Sequence, residues 1–325
     1  MPIHNLGYRN WTGEFEPAGN RWTVIAEIGI RRAWLSSWLR RVLFFAWVPG
    51  VLMGFMIFMY EQSNADVHSF SRGAFAGLAQ VLLQPQSISD GNVQSRISEL
   101  LTKKEEDPGR QRHAFWSLLL LSLFKRSQPF ILIPLVGLVA PPLISQDFRS
   151  RAFLLYFSRP ITRLQYVMGK AATILFYLTI ITLLPALLLF VTGLALSPGL
   201  EVLKATWDLP FRSLACTCVI VIPSTAIALM LSSLTTESRY ASFAWFAIWI
   251  FGAIAYGVVI PITSDNSHSL LHCISLFQVF SDVTAWILDP SFKITGIETR
   301  IILLMVLTAV STAVIFRRVS APMQI

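Results

Sequence analysis

The stretch ISQDFRSRAFLLYFSRPITR, residues 144–163, places Arg149, Arg151, Arg159 and Arg163 around the apolar run Phe153-Leu154-Leu155-Tyr156-Phe157. A link between two helices needs only a few polar residues, so a segment this basic and this greasy asks for a reason. Apolar runs flank it. Upstream lies PFILIPLVGLVAPPLIS, 129–145, and downstream a longer run covers 170–196. A helix needs about 20 apolar residues to cross about 30 Å of hydrocarbon. The segment therefore reads as a loop between two membrane spans.

The same reading extends along the chain. Candidate spans cover 42–60, 129–145, 170–196, 212–234, 241–261 and 299–316, six in all. Of the 325 residues 54% are hydrophobic and only 14% charged, with a mean hydropathy of +0.60. A soluble domain carries nearer a quarter charged residues, so lipid is the expected solvent. The formal net charge of +8 sits beside the apolar runs, which speaks for membrane orientation rather than nucleic-acid binding. Cys216, Cys218 and Cys273 form neither a disulfide framework nor a zinc pattern and are expected to be small buried thiols. Glu14, Glu16 and Glu27 argue against a cleavable signal at the start, so the first apolar run is expected to stay as an anchor.

Lys and Arg near the span ends set the orientation. Arg31, Arg32, Arg40 and Arg41 precede span one, five cations from Arg149 to Lys170 separate spans two and three, and Arg317-Arg318 follow span six. Acidic residues dominate the connections 197–211 and 262–298. The positive-inside rule then places both termini and the 146–169 loop in the cytoplasm, with 61–128 and 262–298 outside. The organisation expected is a cytoplasmic N-terminus 1–41, a six-helix membrane domain 42–318 and a short tail 319–325.

Three pieces lie outside the spans. Residues 20–41 are helix-compatible: Trp22, Ala26, Gly29 and Ala33 share one face, Trp34 and Trp38 lie away from it, and Arg31-Arg32 stand between. Tryptophan with arginine is the composition of a helix at headgroup level, so an interfacial helix carrying Trp22, Arg31, Arg32, Trp34 and Trp38 is expected. In 61–128 a charge run, KKEEDPGR, precedes the apolar HAFWSLLLLSLFKRSQ, expected to lie on the outer surface or pack on the spans. Residues 262–298 have apolar residues at helical spacing interrupted by Asp282 and Asp289, as in short helices dipping to the membrane surface. There His268, His272 and Cys273 admit a metal reading, but two histidines at helical spacing commonly arise without one. No metal site is assigned.

No ionisable residue stands in the middle of any span, and neither HExxH nor GxSxG occurs. Ion-coupled transporters place ionisable groups at mid-membrane, and intramembrane proteases need a nucleophile or a metal, so neither class is favoured. A GxxxxGK[ST] loop is absent as well; QYVMGKAAT lacks the earlier glycine and the following hydroxyl. No catalytic residue is assigned, and energy is expected to come from another polypeptide.

Within 144–163, Pro160 disfavours helix at Arg159 and Thr162 suits a helix cap. A short helix over about 147–157, a turn and a helix entering span three are expected. The segment resembles the loop between spans two and three of permease subunits of ABC-2-type transporters, in the branch that includes the permease of nitrous-oxide-reductase maturation. That loop reads roughly I-x-x-E-x-x-x-G-T-L-x-x-L-L-x-x-P-I-S-R with G-K following. Ile144, Asp147, Phe153, Tyr156, Phe157, Pro160, Ile161, Thr162, Arg163, Gly169 and Lys170 stand in its register. Two positions depart: Asp147 replaces glutamate, and Arg151-Ala152 replace the Gly-Thr pair.

The resemblance implies an all-α, six-span type V exporter domain with an N-terminal interfacial helix, in the bacterial inner membrane. It implies that Asp147, Arg149, Arg151, Phe153, Tyr156, Phe157, Arg159, Pro160 and Arg163 form a coupling interface for an ATP-binding subunit. ATP and Mg would bind on two such partner subunits, and no cofactor in this chain. A second copy, or a similar permease, would complete the transporter among membrane lipids, and no nucleic-acid partner is implied. The alternative is a non-transporting anchor passing force to an outer, periplasmic partner through the 61–128 segment. Hydroxyl- and aromatic-lined spans suit a lipid, glycolipid or amphipathic peptide better than a small ion.

Overall fold

The computed structural model describes residues 20–65, 108–152, 161–197, 199, 201–262, 271–289, 294 and 296–320. Among them there is no strand, and six helical stretches are long and apolar enough to cross a membrane. These are Ser37–Gln62, Ile131–Arg149, Arg163–Leu196, Val202–Leu234, Ser238–Val259 and Ile297–Ser320, spans one to six in chain order.

Helix α1, Arg21–Trp34, precedes them. Span one is α2, Ser37–Ala46, running into α3, Val48–Ala65, past a break at Trp47 before Pro49. Helix α4, Pro108–Ser122, passes through a single π-helical turn, Leu123–Ser127, into α5, Gln128–Val139. The apolar stretch at 113–124 is therefore packed inside the bundle: Phe115, Trp116 and Leu118 to Leu121 are buried. Span two is completed by α6, Pro141–Arg149, and span three is the single helix α7, Arg163–Leu196. A short α8, Glu201–Thr206, leads into α9, Leu209–Leu234, and the two make span four. Spans five and six are α10, Ser238–Ile262, and α12, Ile297–Ser320. Between them a 3₁₀ turn, Leu271–Ile274, leads to α11, Leu276–Leu288.

Proline and serine shape span two. Pro141 and Pro142 follow Ala140, whose side chain cannot cap, so the first turn of α6 begins with unsatisfied N–H groups. Span four supplies the missing acceptor. Ser232 Oγ accepts from the N–H of Ile144 and of Ser145, both at 3.1 Å, and donates to Pro141 O at 2.7 Å.

Span four is the centre of the bundle, packed on spans two, three and six and on α11. Helix α11 does not lie on the surface as its interruptions suggest: Gln278, Asp282 and Thr284 are buried with its apolar residues. Asp282 is accommodated because Gln278 Nε2 donates to it at 2.9 Å and Arg300 of α12 lies at 3.2 Å. Arg212 in the first turn of α9 donates to Ile287 O and Leu288 O, occupying the carbonyl end of α11.

Span three has 34 residues, about 51 Å of helix at 1.5 Å per residue, against about 30 Å of hydrocarbon. Part of it must project, and α1 packs along its first turns. The two run in the same direction: Ile25 and the Trp22 carbonyl lie against Gly169, and Tyr177 OH donates to Ile30 O at 2.7 Å. Small residues let the backbones approach. A Cβ on Gly169 would stand 2.7 Å from Ile25 Cβ, and one on Gly29 would overlap the Thr173 hydroxyl. The face of Trp22, Ala26, Gly29 and Ala33 is thus the docking face of α1, while Trp34 and Trp38 stay exposed.

Candidate functional site

At one end of the bundle the helix ends bearing 149–163 meet α1, the turn between spans four and five, and the end of span six. Helix α6 stops there through a Schellman motif. Arg151 N–H donates to Phe148 O at 3.3 Å and Ala152 N–H to Asp147 O at 3.0 Å, satisfying two orphan carbonyls. That closure needs a left-handed residue, and Arg151 has φ = +53°. Glycine is the usual residue at such a position, because any Cβ crowds the backbone there. The helix expected over 147–157 is therefore not continuous: α6 ends at Arg149, and 153–157 lie outside the described residues. Sequence propensity missed this because nothing about arginine announces a left-handed conformation.

The base of the loop is pinned to span three. Asp147 Oδ2 lies 2.7 Å from Lys170 Nζ and accepts from Tyr166 OH at 2.8 Å. Asp147 is 6% exposed and Lys170 7%, so neither charge is hydrated enough to stand alone. A buried ion pair contributes little net stability against a hydrophobic substitute, but losing one partner strands the other charge. The pair therefore fixes α6 against α7. Lys170 also lies 5.5 Å from the Tyr166 ring centre. On the exposed side of the same helix end, Arg32 Nη2 donates to Gln146 Oε1 at 2.7 Å, joining α1 to α6.

Further contacts gather the other elements. Arg149 Nη1 lies 3.2 Å from Glu237 Oε2, in the turn between spans four and five. Arg163 Nη1 donates to Ser320 Oγ at 2.8 Å, tying the start of span three to the end of span six. Thr162 closes a capping box with Gln165: its hydroxyl accepts from Gln165 N–H at 3.2 Å, and Gln165 Oε1 accepts from Thr162 N–H at 3.0 Å. The expected cap is present, and it sets where α7 begins.

Of the residues singled out for this interface, Asp147, Arg149, Arg151 and Arg163 come together here. Phe153, Tyr156, Phe157, Arg159 and Pro160 lie outside the described residues. Among the N-terminal residues, Trp22 is half-buried on span three, Arg31 is exposed and paired with Glu27 at 2.6 Å, and Arg41 lies over the exposed Trp38. Sequence reading passed over Lys170, Tyr166, Gln146 and Glu237 as partners. Lys170 carried a signal: a lysine entering an apolar helix needs a counter-charge, and Asp147 is the acid of the preceding loop.

The opposite end has its own polar contacts. Arg112 makes two 3.1 Å bonds to Glu61, and His113 lies 3.0 Å from Asp208, which also binds Arg212 at 2.6 Å. His272 Nδ1 lies 3.5 Å from Asp282 and 3.4 Å from Tyr256 OH. His268 lies outside the described residues, and no group of three metal-ligating side chains occurs among those described. Of the cysteines, Cys216 is buried, Cys273 partly so, and Cys218 is exposed on the surface of span four, unlike the buried thiol expected. Burial raises the Cys273 thiol pKa, with Arg300 opposing and Asp282 adding to the shift.

Residues 26–321 match the family model described as ABC-2 family transporter protein. No curated protein matches the chain.

Proposed function

The chain belongs to the ABC-2 transporter family, and from that premise we propose that it is the permease subunit whose 144–163 segment docks on a separate ATP-binding subunit. The observation that carries this reading is the pinned base of the loop. Asp147, held by Lys170 and Tyr166, makes α6 and the start of span three one rigid unit. Arg149 and Arg163 extend that unit to spans five and six. A partner pushing on the segment would move several spans together, which is what converting ATP-driven motion into transport requires.

In this reading the greasy run 153–157 is the surface offered to the partner and Arg149, Arg151, Arg159 and Arg163 meet its acidic groups. Two ATP-binding subunits would serve two permeases, a homodimer or a pair with a similar chain. The basic end faces the cytoplasm of a bacterial inner membrane, and export of an amphipathic substrate is the direction proposed. α1 is the interfacial helix, with Trp34 at its end and Trp38 at the start of α2 at headgroup level.

The test is co-purification of the ATP-binding subunit with full-length chain. Deleting 153–158, or replacing Arg159-Pro160 with Ala-Ala, should abolish the complex and the stimulated ATPase while leaving Asp147–Lys170 and thermal unfolding of the permease intact. A stable complex with full ATPase stimulation after the deletion would overturn the proposal.

A further inference from the structure

We propose that the wedge between α1–α2 and spans two and three binds the phosphate headgroup of an anionic phospholipid. A partly open cavity of about 210 Å³ lies there. Its span-two wall begins with Leu138 and Val139 and ends with Gln146 and Asp147. From Leu138 to Asp147, ten residues and roughly 14 Å of helix, that wall passes from apolar to polar side chains. The α1 wall, running antiparallel to span two, adds the apolar Ile25 and Ile28, and its Arg32 reaches across to Gln146. Apolar side chains from both walls beside Arg32 suit an amphiphile, whereas a soluble anion leaves the apolar part uncovered.

Charge selects the headgroup. Arg32, Lys170 and Asp147 line the cavity, a net of one positive charge. Asp147 is already engaged by Lys170 and Tyr166. Arg32 makes one hydrogen bond, to Gln146, and among the described residues has no carboxylate partner. A guanidinium has five N–H donors in a planar fork suited to phosphate, so most of its capacity remains for a ligand. Neighbouring Arg31 is taken by Glu27. A choline headgroup would bring its cation to a site with no carboxylate to spare, so an anionic lipid is preferred over a zwitterionic one. The inference needs only that the chain spans a membrane, and it stands apart from the docking of any ATP-binding subunit.

Native mass spectrometry of the full-length, detergent-solubilised protein, titrated with phosphatidylglycerol or phosphatidylcholine, tests it. Wild type should retain phosphatidylglycerol preferentially. Arg32→Ala should weaken that retention about tenfold, as for loss of a charge-assisted contact, to the level of phosphatidylcholine. Ile28→Trp, at a position 58% exposed, should also lower retention by filling the wedge without changing its charge. Arg40→Ala, exposed on α2 and outside the cavity wall, should have no effect, and millimolar inorganic phosphate should not displace the lipid. Unchanged retention in Arg32→Ala, or an equal loss in Arg40→Ala, would overturn the site. Displacement by inorganic phosphate would make it a soluble-anion site and likewise overturn the lipid assignment.

Discussion

Two residues at the loop base illustrate how local chemistry is paid back, or not, by its surroundings. Arg151 holds φ = +53° to close α6, in a conformation that costs a non-glycine residue roughly 1–2 kcal/mol. The ABC-2 pattern that this loop resembles has glycine there, and the Schellman geometry supplies the physical reason. Arg151→Gly should therefore raise stability, by about 0.5–1 kcal/mol after allowing for the freer unfolded chain. Thermal unfolding of the purified protein measures it. Arg151→Ala, which removes the cation and keeps the strain, should give no gain; a gain from alanine would locate the cost in charge instead. Asp147 behaves oppositely. Asp147→Asn leaves buried Lys170 without its counter-charge and should cost roughly 3–5 kcal/mol. Combining it with Lys170→Met removes the stranded charge and should recover most of that loss. A double variant as unstable as the sum of the singles would show that the two groups are not coupled.

At the scale of elements, the break in span two depends on a residue some ninety positions away. Ser232 of α9 serves as acceptor for two N–H groups and as donor to Pro141 O at the start of α6. Ser232→Ala should cost about 1–3 kcal/mol, because buried N–H groups are left without an acceptor. Ser233→Ala, which loses only a local bond to Met230 O, should cost much less; equal losses in thermal unfolding would argue against the capping role. This contact explains why the outline was legible in the sequence and the joints were not. Each span is announced by its own composition, so all six could be placed from apolar run length alone. Ser232 capping α6, Gly169 admitting α1 and Arg300 neutralising Asp282 are pairings between distant residues, which no local pattern encodes. Asp282 shows the consequence: read locally it interrupts an apolar face and suggests a surface helix, whereas Arg300, Gln278 and His272 gather around it in the bundle. The candidate site divides in the same way. Thr162 with Gln165 is a local signal and was readable, whereas the partnership of Asp147 with Lys170 and Tyr166 required the fold.

For the whole molecule the property with the largest consequence is which end faces the cytoplasm, since only that end can meet an ATP-binding subunit. The arginine distribution is the ground on which the 149–163 end is proposed to lie inside. Span five starts beside Glu237 and runs for 22 residues, about 33 Å, so the following turn with Cys273 belongs to the other half of the molecule. Cys273 is partly accessible, Cys216 is buried, and Cys218 lies on the apolar surface of span four. With Cys216 and Cys218 replaced by serine, a membrane-impermeant maleimide should label Cys273 in intact cells. A cysteine introduced as Arg151→Cys, with Cys273 also replaced, should react only after permeabilisation; the reverse pattern would invert the topology and remove the docking proposal. The pH dependence identifies the thiol that reacts. Thiolate is the nucleophile, and burial has moved the Cys273 pKa above its ordinary value. At neutral pH its thiolate fraction is therefore below that of an ordinary cysteine, so labelling should be slower. Its rate should still be rising at the pH, near 8.5, at which an unperturbed thiol begins to level off. A rate already level at that pH would show a thiol in contact with water, and the turn carrying Cys273 would then lie outside the packed bundle.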